Sequence, residues 1–226
     1  MEIPRSVPVM TLPSATLFPQ ALLPLYIFEP RYRQMLADML RSHRMFSVAM
    51  QKPGRRREMP CPVAGLGLIR VSVDHQDGTS HLILQGLTRV ELGDTLQVKP
   101  YRVQRIRPLH APPGDDAVVE ALADRVLELV EERVRLGPFP FPFPAVPGAM
   151  GAKATGSTIT PLPVKKVLEY LESLPSPDQL ADLVSCALVT SATERQKILE
   201  TVALEDRLAW LIRFLGAEIR ALRGKG

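Results

Sequence analysis

Residues 22–36 read LLPLYIFEPRYRQML. An apolar run broken by Pro24 stops at Glu29-Pro30-Arg31 and passes without a linker into a different period. Pro30 suits the first position of a helix, where its missing N–H costs nothing, and it pushes Glu29 into an extended conformation. A strand has to end there. Tyr32, Met35, Leu36, Met39 and Leu40 then recur at helical spacing and predict one buried stripe. Glu29, a carboxylate beside a helix N-terminus, is expected to meet the exposed N–H groups, an effect of about 0.3–1 kcal/mol. That role needs no substrate.

Around this corner lie short Val-, Leu- and Ile-rich runs separated by turn signals, of which Asp77-Gly78 is the clearest hairpin turn. Strands are predicted near 8–12, 22–27, 46–50, 67–73, 81–85, 88–92 and 97–107. Seven short strands with one inserted helix predict a small barrel or curled sheet. After Pro113 the period becomes helical. Asp115 or Asp116 can cap a helix ending near Leu136 with Gly137 as its stop, and Ser176 and Ser191 each open a capping box. Leu208, Leu211, Ile212, Leu215, Ile219 and Leu222 form the stripe of a long final helix. The chain therefore reads as α+β, with a β subdomain over 1–112 and a helical subdomain over 113–226. A Pro/Phe/Gly-rich loop interrupts the latter at 137–160, where alternate prolines exclude a central strand and extended geometry would turn Phe139, Phe141 and Phe143 to one side.

Composition narrows the chemistry. Residues 1–112 hold 15 Lys and Arg against 8 acids, net +7, while residues 113–226 hold 13 against 16, net −3. The basic half, with the Arg55-Arg56-Arg57 run, permits a polyanion surface, although 5% aromatic residues leave few platforms for stacking bases. Cys61 and Cys186 are too few and too distant for a disulfide framework. No run approaches the roughly 18 apolar residues of a membrane span, and no signal peptide opens the chain, so a cytoplasmic location is expected.

Catalytic motifs are missing. GAMGAKATGST lacks the order of a phosphate loop, and neither a G-x-S-x-G elbow nor a G-x-G-x-x-G turn occurs. No catalytic residue, cofactor or metal is predicted. His75 and His81 flank the Asp77-Gly78 turn closely enough to share a ligand, but no third ligand is evident.

MTLPSATLFPQALLPLYIFEPRYRQMLADML, with VAGLGLIRV, HLILQGLTRVEL and PYRVQRI, resembles the N-terminal substrate-binding domain of Lon proteases. LADLVSCALVTSATERQKILETVALEDRLAWLIRFLGAEI is similar to that domain's helical half. The resemblance implies a PUA-like β pseudo-barrel followed by a helical bundle, with Pro24, Glu29, Pro30, Arg31 and Tyr32 at a structural strand-to-helix corner. It also implies a non-enzymatic module, since the ATPase and Ser-Lys peptidase domains of Lon are absent; of a truncated parent chain and a free-standing domain, Met1 and the Gly-Lys-Gly ending favour the second. Such a module would bind exposed apolar or unfolded polypeptide as an adaptor or holdase, with a protease or ATPase in trans. Tyr26, Tyr32, Phe139, Phe141 and Phe143 are the candidate polypeptide contacts. The alternative is an RNA- or DNA-binding protein that uses the basic half, with Arg55, Arg56 and Arg57 on phosphates. The Phe-Pro segment is not part of the family pattern.

Overall fold

In the computed structural model, which describes residues 2–55, 58–137 and 164–224, strand β1 (Ser6–Leu12) is followed by the quoted stretch. That stretch is β2 (Leu22–Ile27) and helix α1 (Pro30–Leu40). Pro30 holds the first helical turn and Glu29 is extended, with φ −65° and ψ 132°. The expected capping carboxylate is corrected here. It is the Glu29 carbonyl that accepts from the amides of Tyr32 (3.0 Å) and Arg33 (2.9 Å), while the side chain makes no cap bond. The carboxylate instead accepts from Arg31 Nε at 2.9 Å, because a full cationic charge outcompetes the partial charges of the helix end.

The chain continues through β3 (Met45–Met50), β4 (Val63–Asp74), β5 (Ser80–Gln97) and β6 (Val103–Pro108). The six strands run in the order β2-β5-β4-β3-β1-β6, and β6 also pairs with β5, so the sheet curls back on itself. The β1–β3 pairing is parallel and uses β2 and α1 as its crossover; the others are antiparallel.

Two strand predictions change. Residues 81–85 and 88–92 belong to one strand, β5, and Gly86 is not a break. A Cβ on Gly86 would stand 1.9 Å from the Phe18 carbonyl oxygen, so glycine is there to admit the backbone of the preceding loop. Gln20 donates to the Gly86 carbonyl (2.9 Å) and Gly86 to that of Ala21 (2.8 Å). The run predicted over 97–107 is split by a turn before β6, since Pro100 has no donor for a ladder.

The stripe of α1 buries Tyr32, Met35, Leu36 and Met39 against Met10, Phe46, Val48, Ile69, Leu82 and Leu84. A second cluster, formed by Val7, Val9, Met45, Ala49, Ala64, Leu66 and Val90, fills the other side of the curled sheet. Strand β3 is buried on both faces for this reason.

Residues 1–110 form one compact unit and residues 111–226 a second. The second contains α2 (Asp116–Arg135), α3 (Val164–Glu172), α4 (Pro177–Leu188), α5 (Ala192–Glu200) and α6 (Leu204–Arg223). Asp115 caps α2 through the amides of Ala117 and Val118, Ser176 caps α4 through Gln179, and Ser191 caps α5 through Glu194. Helix α3 is a finding the sequence analysis lacked, because it follows directly on the Pro-rich stretch. Phe139, Phe141 and Phe143 lie outside the described residues. Arg207 on α6, 1% exposed, pairs with Asp182 Oδ1 at 3.2 Å and with Asp178 on α4. Arg133 on α2 donates from Nε to Glu218 on α6 at 2.9 Å.

Two expectations follow from this packing. Gly86→Ala should destabilise the protein by about 1–3 kcal/mol in urea unfolding, whereas Gly93→Ala, whose Cβ would meet nothing closer than 3.6 Å, should change it little. Arg207→Leu should destabilise the protein by up to about 3–5 kcal/mol, because it removes one charged partner of the buried Asp182 carboxylate; unfolding midpoints within experimental error of the parent would refute that.

Candidate functional site

Along β2 the side chains of Leu22, Pro24 and Tyr26 point to one face, and Phe28 continues their register just beyond the strand. The ladder then builds rows across three strands. Pro24 stands beside Ile83 and Ile83 beside Val71; Tyr26 stands beside His81 and His81 beside Val73. Strand periodicity puts these residues on the same face, opposite Leu82 and Leu84, which are buried. The outer face is not covered. Leu22, Tyr26, Phe28, Val71, Val73 and Ile83 are 37% to 59% exposed. Contiguous apolar surface of this kind marks an interaction site more often than isolated exposed residues do.

Four rings run along this face. Tyr26 stacks on Phe28 with centroids 5.8 Å apart and lies 4.7 Å from His81, which meets the His75 ring edge-on at 4.9 Å. Strand β2 ends the sheet order on this side, so among the described residues its outer edge has no neighbouring strand. Pro24 fits such an edge, where its missing donor interrupts no ladder.

The predicted site residues divide. Tyr26 is part of the exposed face. Tyr32 is not: it is 4% exposed, with its hydroxyl donating to the Thr11 carbonyl and accepting from the Thr11 amide at 3.2 Å. It is buried because the stripe of α1 that carries it faces the core. Pro24 is likewise corrected from the corner to the middle of β2. Glu29, Pro30 and Arg31 do form the corner. Arg31 joins Glu29 to Glu58 and lies 4.4 Å above the Tyr32 ring. Burial opposes the charge on Arg31, but the hydrogen bond it donates to Glu58 and the other neighbours prevail and raise its pKa. Burial first, and then the negative charge of Glu58, also raise the pKa of the Tyr32 hydroxyl. Arg55 is exposed, and Arg56 and Arg57 lie outside the described residues.

Leu22, Phe28, Val71, Val73 and Ile83 were not singled out from sequence. The one signal for them is the alternation Val71-Ser72-Val73-Asp74, which marks a two-faced strand without saying that its apolar side faces water. Elsewhere, Tyr101 donates to Asp38 Oδ2 at 2.7 Å, and burial with that bond pushes its pKa up to about 12. The Cys186 thiol is also raised by burial, which favours the unreactive protonated form. Among the described residues, no three His, Cys, Asp or Glu side chains are grouped to hold a metal, and no helix is long and apolar enough to cross a membrane.

Residues 6–217 match the model of the ATP-dependent protease La (LON) substrate-binding domain. The Lon protease of Desulfosudis oleivorans is 25% identical over 227 residues, covering 98% of this chain and 25% of that protein; that of Anaeromyxobacter dehalogenans is 26% identical over 234 residues, covering 98% and 24%. The chain thus spans about a quarter of the length of these relatives. Among solved structures, the N-terminal domain of Mycobacterium avium complex Lon protease aligns with TM-score 0.67 at 16% identity, covering 93% of this chain and 98% of that one. A Lon N-terminal domain protein from Xanthomonas campestris aligns with TM-score 0.56, also at 16% identity, covering 92% and 98%. The curled sheet, the helical second unit and a family match across nearly the whole chain agree, and the chain belongs to the Lon substrate-binding domain family.

Proposed function

We propose that the outer face of β2, β5 and β4 binds exposed apolar segments of unfolded polypeptide. In this role the chain acts as a substrate-recognition module, as an adaptor or holdase in the cytoplasm that cooperates with a protease or ATPase in trans and has neither activity itself. The observation that carries this reading is the uncovered row structure of the face, with Leu22, Tyr26, Phe28, Val71, Val73 and Ile83 held in register by three paired strands. Family membership supports the substrate-recognition part.

The physics suits a broad specificity. Fully covering a Val, Leu, Ile or Phe side chain is worth about 1.5–3 kcal/mol, and these side chains are already half-covered, so each contributes only part of that. No single contact is then decisive. Ordering a disordered segment subtracts further, which leaves a modest affinity spread over the face. Flat apolar surface also lacks the buried polar groups that reject wrong ligands, as a recogniser of many sequences requires.

The test is a fluorescence-anisotropy titration of the purified protein against a labelled, permanently unfolded polypeptide at low and high salt. Saturable binding that survives high salt is expected. Tyr26→Asp and Ile83→Asp should each weaken it about tenfold, or about 1.4 kcal/mol, while Arg55→Ser should not. Absence of saturable binding, or binding unaffected by both aspartates, would overturn the proposal. RNA binding that collapses with salt and weakens in Arg55→Ser would move the function to the basic half.

A further inference from the structure

The β4–β5 hairpin holds a pair of donor atoms that polypeptide docking does not require. His81 sits opposite Val73, and His75 follows two residues along the same face. His75 Nε2 and His81 Nδ1 are 2.6 Å apart, on two exposed side chains. Two nitrogens at that distance share one proton, with one ring N–H donating to the lone pair of the other. One ring nitrogen thus presents a lone pair at the contact, and a nitrogen lone pair is what ligates a metal.

The turn that joins the strands is well tied. The His75 amide donates to the Thr79 carbonyl (2.8 Å), Gly78 donates to that of His75 (2.9 Å), and Asp77 Oδ1 accepts from the Thr79 amide (2.9 Å) and hydroxyl (2.7 Å). These bonds keep the Asp77 carboxyl below its ordinary range, so a negative charge stands on the turn and balances the Arg33 guanidinium packed against Gly78.

We propose that His75 and His81 chelate a divalent first-row transition ion, and that Cu2+ is preferred over Zn2+. Imidazole nitrogens bind such ions at about 2.0–2.1 Å, so two of them stand about 2.9 Å apart when cis in a tetragonal site and about 3.3 Å apart in a tetrahedral one. The observed 2.6 Å is a hydrogen-bond contact, and the rings need to separate by less than about 1 Å to reach either spacing. Cu2+ favours the tetragonal geometry and binds nitrogen ligands more tightly than its neighbours in the series. Among the described residues no third His, Cys, Asp or Glu completes the set. Water or donor atoms of another molecule would fill the remaining positions.

The experiment is a titration of the untagged full chain with Cu2+, and separately with Zn2+, followed by calorimetry and by amide NMR. One equivalent of Cu2+ should bind, its paramagnetism broadening amides around His75 and His81. His75→Ala and His81→Ala should each weaken it at least tenfold, and His81→Phe should do the same while keeping a ring beside Tyr26. His43→Ala and His110→Ala should leave it unchanged. Binding that persists in His81→Phe, broadening centred elsewhere, or Zn2+ held more tightly than Cu2+ would overturn the proposal.

Discussion

Strand β5 is the element on which the first unit depends, because its eighteen residues, Ser80–Gln97, pair with β2, β4 and β6. A strand of this length serves three neighbours only if the sheet coils, and coiling brings β6 back to pair with its far end. Close approach makes that possible. Gly86 on β5 and Gly65 on β4 each face the backbone of the 15–20 loop, where a Cβ would stand 1.9 Å and 2.0 Å from a carbonyl oxygen. Coiling also divides the strand. Its far half is closed by β6, while the near half, with β2 and β4, keeps an outer face bare.

The corner at Glu29-Pro30-Arg31 serves the same architecture. Arg31 links the helix start to Glu58, and Tyr32 one residue later fastens α1 to the backbone of β1 through Thr11. The Arg31–Glu29 pair is more than a third exposed on both sides, so water screens it and its value is geometric more than energetic. It fixes where the chain turns. Apolar burial by Met35, Leu36 and Met39 then supplies the stabilisation.

A recognition surface benefits from standing on such a frame. Apolar side chains exposed on a mobile loop would collapse on one another, whereas a paired sheet holds Tyr26, Ile83 and Val73 apart and available. Pro24 adds a second control, because a proline in an edge strand lacks a donor and so discourages edge-to-edge pairing between chains. The second unit solves a different problem with buried charge. Arg207 and Asp182 lie inside the helical packing and fix which faces of α6 and α4 meet, a choice that apolar side chains alone leave open.

Local chemistry made much of this legible in the sequence. Pro30 after an extended run, the stripe from Tyr32 to Met39, a cap at Asp115 or Asp116, and the caps Ser176 and Ser191 depend on neighbours a few residues apart, so each was readable from the sequence. The family resemblance rested on the same stretches. Distance in sequence is what hid the rest. Gly86 looks like a strand end until the Phe18 carbonyl is seen against it, Tyr26 and Tyr32 look equivalent until one faces water and the other the core, and LLPLYI is apolar on both faces. Which face of a strand is covered depends on the partners that arrive from elsewhere in the chain. Only the tertiary structure could therefore decide that Val71, Val73, Ile83 and Tyr26 share one surface, and that His75 and His81 meet at its end.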